Sequence, residues 1–370
     1  MFDVLKQQDV YTCRHKNSVS ECEIFLHQTM VKAVVGEEAR LTSAEDRLSR
    51  SAIPAEVGLV IGKLSSVLDR GFVFDLIPTP SNDAGEPACS VLETRDDKKK
   101  PSKSKSQSSE SSSLSIDSDW VAEHARQVSR MLLGGVKVVG IYVWASDSAF
   151  KNSTMILCQA IKAVSDAIRH LDPALDEALL IHICYSPRRW NCRTCLLNSS
   201  ITSSSLRPCD FKLGRVLSSL QRFKCNYSFN FRLPIYSKGE SSRQTFTEIL
   251  RQELAVHEKE LKSANAMIDG YLVHNDEPCN TEGEHEIELL FPFMKDIRAE
   301  ATKNVTGILH FGGSIHSYAY LNVKEPVSQA VTDIKADITR SLQSRLDIIC
   351  DEAEQDLNPT DVGDDEELRY

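Results

Sequence analysis

The fold is decided by a run of mostly apolar residues, Glu56-Val-Gly-Leu-Val-Ile-Gly62, which has the length and composition of a buried strand. A second run, Phe72-Val-Phe-Asp-Leu-Ile-Pro78, follows the turn residues Asp69-Arg70-Gly71, so the two runs predict a hairpin. A third run, Val136 to Trp144, is rich in Val and Ile, as are strands covered on both faces. A helical pattern precedes the third run, and another follows it from Ser153 to Leu171. The sequence therefore predicts an α/β (α+β) fold with a mixed sheet flanked by helices.

The composition excludes several classes of function. Of the 370 residues, 41% are hydrophobic, which is enough for sizeable cores in roughly two domains. The net charge of −10 argues against general nucleic-acid binding, and no run of about 18 apolar residues is present to cross a bilayer. The 11 cysteines form no regular framework, which favours reduced thiols in the cytosol. We expect no cofactor, no nucleic acid and no small-molecule substrate.

Changes in composition divide the chain into segments. The predicted segments are a disordered N-terminal extension (1–29), a lead-in strand and helix (30–53), a first domain (54–233), a second, smaller α+β domain (241–350) and an acidic tail (351–370). Residues 81–118 are rich in Ser, Lys, Asp and Pro, which predicts a disordered insertion in the first domain. Asp117 to Asp119 would begin a helix that ends at Gly134-Gly135, and Gly312-Gly313 predicts a hairpin turn. Apolar residues at helical spacing predict a last helix from Pro326 to Cys350.

The order of strands in the first domain resembles the MPN domain of the JAMM metallopeptidases. That family holds zinc with a His-x-His pair after the third strand and with an Asp eleven residues beyond the second His. In this sequence Val143, Ala145 and Ile156 stand at those places, and aliphatic side chains offer no lone pair to a metal. Glu56 stands near the position of the family's general base, and Ser153 precedes the lost Asp position by three residues. The resemblance implies an MPN-like domain without a metal or a catalytic residue.

Two longer strings resemble the odorant response abnormal protein four family. One is Asp119-Trp-Val-Ala-Glu-His-Ala-Arg-Gln-Val-Ser-Arg-Met-Leu-Leu-Gly-Gly135, which runs into Val138-Val-Gly140. The other combines Leu180-Ile-His-Ile-Cys184, Cys192-Arg-Thr194 and Ser205-Leu-Arg-Pro-Cys-Asp210. The match covers most of residues 30–350. The residues that carry the family signature, which we interpret as structural, are Trp120, Glu123, His124, Gln127, Val128, Ser129, Arg130, Gly135, Gly140, His182, Cys184, Cys192, Arg193, Arg207 and Pro208.

The second resemblance implies a non-catalytic adaptor. The family is associated with the cytoplasmic face of the endoplasmic reticulum membrane, with the delivery of some G-protein-coupled receptors, and with holding the ubiquitin-fold-modifier protease there. We expect that protease to be the partner, bound through its own MPN-like region, and membrane receptors to be possible clients. Animal members close with a hydrophobic anchor, whereas this sequence ends at Arg369-Tyr370, so a soluble or peripheral protein is expected.

Two other functions remain open from the sequence. The first is a working cysteine or zinc hydrolase that would use Cys184, Cys192 or Cys195 together with His182. A single Cys-x-x-Cys beside one strand cysteine is a weak signal, because a tetrahedral zinc site would want two such pairs. The second is a receptor-trafficking chaperone that works without the protease.

Overall fold

Two sheets and one small hairpin carry the fold in the computed structural model, which describes residues 31–65, 68–93, 112–169, 176–197, 202–236, 245–273, 283–291 and 305–357. In chain order the strands are β1 (Ala33–Glu37), β2 (Glu56–Ser65), β3 (Arg70–Pro78), β4 (Cys89–Glu93), β5 (Ser112–Ile116), β6 (Lys137–Trp144), β7 (Glu177–Tyr185), β8 (Arg188–Leu196), β9 (Leu206–Gly214), β10 (Leu220–Tyr236), β11 (Asn265–Ile268), β12 (Tyr271–Leu272), β13 (Glu284–Leu290) and β14 (Val305–Asn322). The helices are α1 (Glu38–Arg50), α2 (Ser118–Met131), α3 (Asp147–Asn152), α4 (Thr154–Ile168), α5 (Phe246–Ser263) and α6 (Val327–Leu357).

Seven strands close into a barrel in the order β1-β3-β2-β6-β7-β8-β9. The predicted hairpin of β2 and β3 is present, and β6 pairs antiparallel with β2 and parallel with β7, so the sheet is mixed as expected. Closure depends on β1, which pairs parallel with both β3 and β9. The sequence analysis left β1 outside the first domain, and the structure corrects this. A five-residue strand shows no sign of its partners in sequence, because tertiary contacts select them.

Strand β6 separates two apolar cores. Val138, Ile141 and Val143 pack in the core that also holds residues of α2 and α4, whereas Val139 and Tyr142 pack in a core shared with α1. This arrangement follows from the alternation of side chains along a strand and from cover on both faces. It confirms the prediction that the Val136–Trp144 run is buried on both sides.

The predicted disordered insertion is partly ordered. Residues 89–93 and 112–116 form an antiparallel hairpin of β4 and β5, and Leu114 is fully buried in the same core as α2 and α4. The prediction for 81–118 was therefore wrong at both ends of the segment. The Ser-rich composition gave no sign of β5, because the strand is stabilised by pairing with β4 and by packing against α3 and α4. Residues 94–111 lie outside the described residues, as do 1–30 and 358–370.

The second sheet has the order β12-β11-β13-β10-β14. Strand β10 was predicted to end the first domain, but it pairs along most of its length with β14 and so belongs to the second sheet. The hairpin turn predicted at Gly312-Gly313 is also wrong, since both glycines lie inside β14 opposite Asn230 and Phe229. A Cβ on Gly313 would lie 3.1 Å from the Phe229 ring, so the glycine makes room for its aromatic neighbour.

Helix α6 covers the second sheet with the apolar stripe that the sequence predicted. Ala330, Ile334, Ile338 and Leu342 are fully buried in one core with residues of β10 and β14. The helix continues to Leu357, beyond the predicted end at Cys350, so the first residues of the predicted acidic tail are helical. Within the described ranges, no helix combines the length and the apolar character needed to cross a membrane.

The two sheets meet at a glycine pair and a buried lysine. Gly134 has a positive φ, and a Cβ there would lie 1.9 Å from the backbone oxygen of Tyr318 on β14. Lys63 of β2 is buried, and its Nζ lies 2.9 Å from Asp333 Oδ2 and 3.6 Å from Glu325 Oε2. Helix α2 ends at Met131, before the predicted terminus at Gly134-Gly135, and the two glycines instead allow the second sheet to approach. That the two sheets form separate domains stays a prediction.

Replacing the buried lysine should destabilise the protein strongly. Lys63→Met leaves Asp333 and Glu325 buried without their cation, and breaking a buried ion pair from one side costs about 3–5 kcal/mol. Urea unfolding followed by tryptophan fluorescence would measure the loss. Lys32→Met is the matched control, because the Lys32 side chain is 73% exposed beside Asp69 and should contribute less than about 1 kcal/mol. Equal losses in the two variants would contradict the role of Lys63.

Candidate functional site

The positions that the MPN resemblance assigns to metal ligands lie in the protein core or at its edge. Val143 and Ala145, at the end of β6, are fully buried against residues of α3 and α4, and Ile156 is half-buried on α4. None of these side chains can coordinate a metal, because each lacks a lone pair. The residues present therefore do not fit the zinc ion of an MPN peptidase.

Glu56 is bound by two side chains that the sequence analysis did not single out. Arg47 of α1 donates to both carboxylate oxygens, from Nη1 at 3.0 Å and from Nη2 at 2.7 Å, and Tyr142 Oη donates to Oε1 at 2.6 Å. The hydrogen bond to Glu56 raises the pKa of Arg47, and burial followed by the Glu56 charge raises the pKa of Tyr142. A bidentate arginine holds a carboxylate in one orientation. Glu56 thus fixes α1 to the barrel.

The sheet also separates Glu56 from the lost ligand positions. Glu56 is directly opposite Trp144 in the β2–β6 pairing and faces α1, whereas Val143 and Ala145 face α3 and α4. Neighbouring residues of a strand point to opposite faces. The sequence placed Glu56 near the general-base position of the resemblance, but in the structure it does not share a site with the other two positions.

Ser153 has a structural role in this arrangement. Its side chain is buried between α3 and α4, and its Oγ accepts a hydrogen bond of 2.6 Å from the backbone nitrogen of Leu114 on β5. This bond satisfies a donor in the middle of β5, where an unpaired buried amide would be costly. The motif serine therefore attaches the hairpin to the helices.

His182 is a buried, neutral histidine on β7. Its ring stacks on Phe150 with centroids 4.0 Å apart, and its Nε2 lies 3.1 Å from the backbone oxygen of Ala145. Burial lowers the pKa of His182, which outweighs the opposing hydrogen bond to Ala145. The ring therefore links the ends of β6 and β7.

One group of possible metal ligands lies beside this histidine. Donor atoms of Asp147, His182 and Cys184 lie within 4.8 Å of one another. However, both oxygens of Asp147 are already paired, with Arg189 on one and with Lys151 at 3.0 Å on the other, and the Arg189 hydrogen bond lowers the pKa of Asp147 to about 2. A metal ion would have to displace or approach two cations. The three groups are better described as part of an ion-pair network.

The Cys-x-x-Cys sequence does not form a joint site. Cys192 packs in the core shared with α1, and Cys195 packs in the core under α2 and α4. Three residues along a strand reverse the side-chain direction, so the two sulfurs lie on opposite faces of β8. Burial raises the pKa of Cys195 to about 11, which disfavours its thiolate. The hydrolase alternative therefore loses the pairing that suggested it.

The family-signature residues of α2 attach the helix to neighbouring segments. Asp117 accepts from the backbone nitrogen of Trp120, as the predicted helix start requires, and the indole nitrogen of Trp120 donates to the backbone oxygen of Pro80 at 2.9 Å. His124 Nδ1 lies 3.2 Å from Thr79 Oγ1, and burial lowers the pKa of His124. These contacts join α2 to the chain that follows β3.

The other signature residues have mixed surroundings. Glu123 pairs with Arg126 and Gln127 on the surface of α2. Val128 and Ser129 are buried on the inner side of the helix, and Arg130 is exposed. Gly135 lies against Asp333, and a Cβ on Gly140 would lie 1.9 Å from the backbone oxygen of Leu179. Arg193 lies over the Phe150 ring, while Arg207 and Pro208 are exposed on β9. That these residues serve structure alone stays a prediction.

A cleft lies on the exposed side of β8 and β9. Its volume is about 350 Å³, and its walls include Asp147, Arg189, Arg193, Cys209 and Phe211. Cys184 has a separate environment, since its Sγ donates to the backbone oxygen of Ser186. Sequence reasoning did not single out Asp147, Arg47 or Tyr142, because each acquires its role from a partner far away along the chain.

Removing the tyrosine hydroxyl should weaken the attachment of α1. Tyr142→Phe preserves the buried ring but removes a hydrogen bond to the Glu56 carboxylate, which contributes about 1.5–3 kcal/mol for a charged acceptor. Urea unfolding would measure the loss. Tyr271→Phe is a suitable control, because the Tyr271 side chain is 80% exposed and should lose almost nothing. If Tyr142→Phe had the same free energy of unfolding as the unmodified protein, the proposed role of the hydroxyl would be contradicted.

The buried histidine should make stability depend on pH. Because burial lowers the pKa of His182 in the folded state, the unfolded chain binds the proton more readily, and stability falls as the pH drops below about 6.5. We expect His182→Gln to show a shallower loss of stability than the unmodified protein between pH 7 and pH 5. Unfolding midpoints across that range would show the difference. The exposed His316→Gln variant is the control, and an equal change in both variants would contradict this role.

Comparisons with known proteins identify relatives along most of the chain. A family model described as odorant response abnormal 4-like matches residues 58–369. The protein odr-4 homologs of Mus musculus and Dictyostelium discoideum are 26% and 25% identical over 321 and 331 residues, which are 80% and 86% of this chain. The human homolog is 25% identical over 285 residues, or 70% of this chain. The chain spans 62–66% of the length of these relatives.

Solved structures give weaker likenesses. The crystal structure of UfSP from C. elegans aligns with a TM-score of 0.37 and 8% identity, over 88% of this chain and 48% of that one. A solution structure of a protein from Desulfitobacterium hafniense aligns with a TM-score of 0.28 and 13% identity, over 50% of this chain and 94% of that one. The family match is the stronger result, and it confirms the resemblance predicted from the strings around Trp120 and His182. The chain belongs to the odorant response abnormal 4-like family.

Proposed function

We propose that this protein is a non-catalytic adaptor that positions other proteins at the endoplasmic reticulum membrane. The observation that carries the proposal is the burial of Val143 and Ala145, because a peptidase of MPN type would need metal ligands at those positions. Membership of the odorant response abnormal 4-like family supports a role in the localisation or trafficking of proteins. No residue is assigned a covalent step.

The state of the possible catalytic groups supports the same proposal. Glu56 is fixed by Arg47 and Tyr142 on the face away from Val143 and Ala145, so its carboxylate does not point toward those positions as a general base would. Cys192 and Cys195 face different cores, and the His182 imidazole is engaged with Ala145 and Phe150. A nucleophile and a base must lie within hydrogen-bond reach of each other, and within the described residues no hydrogen bond joins His182 to a cysteine sulfur.

The partner that we propose is the ubiquitin-fold-modifier protease. The basis is the resemblance of this chain to a family associated with holding that protease at the endoplasmic reticulum. Binding would occur between folded surfaces, without a cofactor or a small-molecule substrate. We further propose that attachment to the membrane passes through this or another protein, with G-protein-coupled receptors as possible clients.

A binding experiment with purified proteins tests this function. The full-length chain, mixed with the ubiquitin-fold-modifier protease, should elute with it from a sizing column, and binding should be unchanged by a metal chelator. Cys192→Ala and Cys195→Ala should bind as well as the unmodified chain, since the thiols have no catalytic task. The chain alone should not cleave an isopeptide-linked modifier, with or without added zinc.

Other outcomes of these experiments would contradict the proposed function. Stoichiometric zinc in the purified protein, or cleavage that is lost in Cys192→Ala, would establish a hydrolase and contradict the adaptor role. Recovery of membrane receptors from cells, without the protease, would favour a trafficking chaperone that acts alone. Lys63→Met is a useful control for folding, since loss of binding in that variant alone would reflect the fold and not the thiols.

A further inference from the structure

Two cysteines from distant parts of the sequence lie directly opposite each other in the barrel. The antiparallel pairing of β8 with β9 aligns Cys192 with Cys209. Residues that oppose each other in this way have Cα atoms about 4.5–5.5 Å apart, which falls within the range of about 4.4–6.8 Å seen across disulfides. The backbone therefore already has the separation that a disulfide requires.

The side chains of this pair share one environment. Both residues pack with the apolar group that includes Trp190 and Phe211, and both line the same cleft. The Cys209 Sγ donates to the backbone oxygens of Val31 and Asp210, each at 3.7 Å. Cys192 is only 4% exposed, whereas Cys209 is half-buried and lines the cleft of about 350 Å³. Of the eight cysteines within the described residues, Cys209 is the one that is not buried. A solute that enters the cleft would meet this sulfur first.

Exposure and the mutual interaction of the two thiols distinguish Cys209 from Cys192. Interaction with the Cys192 thiol lowers the pKa of Cys209, whereas burial and the nearby Glu177 and Asp210 charges oppose that effect. Interaction with the Cys209 thiol raises the pKa of Cys192. The thiolate is the reactive form of cysteine, so the two residues have different roles in any oxidation.

We propose that Cys192 and Cys209 form a reversible cross-strand disulfide when the protein meets hydrogen peroxide, with Cys209 reacting first. The Cys209 thiolate attacks one peroxide oxygen; the S–O bond forms, the O–O bond breaks, and the departing hydroxide takes a proton to become water. The Cys192 sulfur then attacks the Cys209 sulfur, the S–S bond forms, and the sulfenic oxygen leaves as a second water with the Cys192 proton. Two thiols lose two electrons, and one peroxide is reduced to two waters.

The nearby cysteines are poorly placed to compete. Cys195, three residues from Cys192, lies on the other face of β8 in a different core, and Cys158 contacts the backbone of Thr202 there. Cys184 is fully buried and donates to Ser186. The register of β8 and β9 thus selects one pair. This inference concerns a modification and does not depend on the proposed adaptor role.

Peptide mapping of the full-length protein tests the proposal. The folded chain would be treated with hydrogen peroxide, blocked with N-ethylmaleimide, and digested with trypsin and chymotrypsin. Trypsin separates residues 190–193 from residues 194–212, and chymotrypsin cuts after Leu197, which separates Cys195 from Cys209. We expect a linked pair of peptides that contain Cys192 and Cys209, with a mass lower by two hydrogen atoms than the free thiols, and loss of this species after dithiothreitol.

Variants and a denatured control make the result decisive. Cys209→Ser and Cys192→Ser should each abolish the linked species, whereas Cys195→Ala should retain it. Cys209→Ser should also remove the sulfenic acid that dimedone traps, and Cys192→Ser should increase it. Oxidation that links Cys195 instead, that leaves Cys209 free for N-ethylmaleimide, or that occurs equally in urea would overturn the proposal, because each result would remove the effect of the β8–β9 register.

Discussion

A buried lysine is the interaction on which the arrangement of the two sheets depends. Lys63 lies on β2 of the barrel, yet its partners Asp333 and Glu325 come from α6 and from the turn before it. Charges taken out of water are tolerated only when they are paired. Moving one sheet relative to the other would separate Lys63 from its partners, so the ion cluster holds the sheets in this arrangement. The glycines at 134 and 135 permit the close approach, because any side chain there would meet β14 or Asp333.

The core around β6 fills both faces of the middle of the barrel sheet with apolar side chains. A strand buried on both faces has no room for solvent, and Val143 and Ala145 complete one core where a metallopeptidase would expose ligands. On the other face, hydrogen bonds join the side chains of Glu56, Arg47 and Tyr142 to one another. Both sets of residues contribute to packing and orientation.

Particular elements show how far the sequence could be interpreted. The β2–β3 hairpin, the buried strand β6, the start of α2 at Asp117 and the apolar stripe of α6 follow from local periodicity and capping, and all are present. Gly312-Gly313 indicated a turn but lies within a long strand, because its partner β10 supplies hydrogen bonds and aromatic neighbours that local sequence does not show. The Glu56 position was found from the motif, whereas the face to which it points depends on the β2–β6 register.

By itself the sequence determined the class of fold, the family strings around Trp120 and His182, and the aliphatic residues Val143, Ala145 and Ile156 at the positions that the MPN resemblance assigns to metal ligands. These features depend on residue type and spacing alone, so they can be found without knowing which residues are in contact in the fold. Only the tertiary structure decided that β1 closes the barrel, that Lys63 joins the sheets and that Cys192 meets Cys209. Such pairings join residues far apart in the chain, and strand register and burial select them from many partners of the same chemistry.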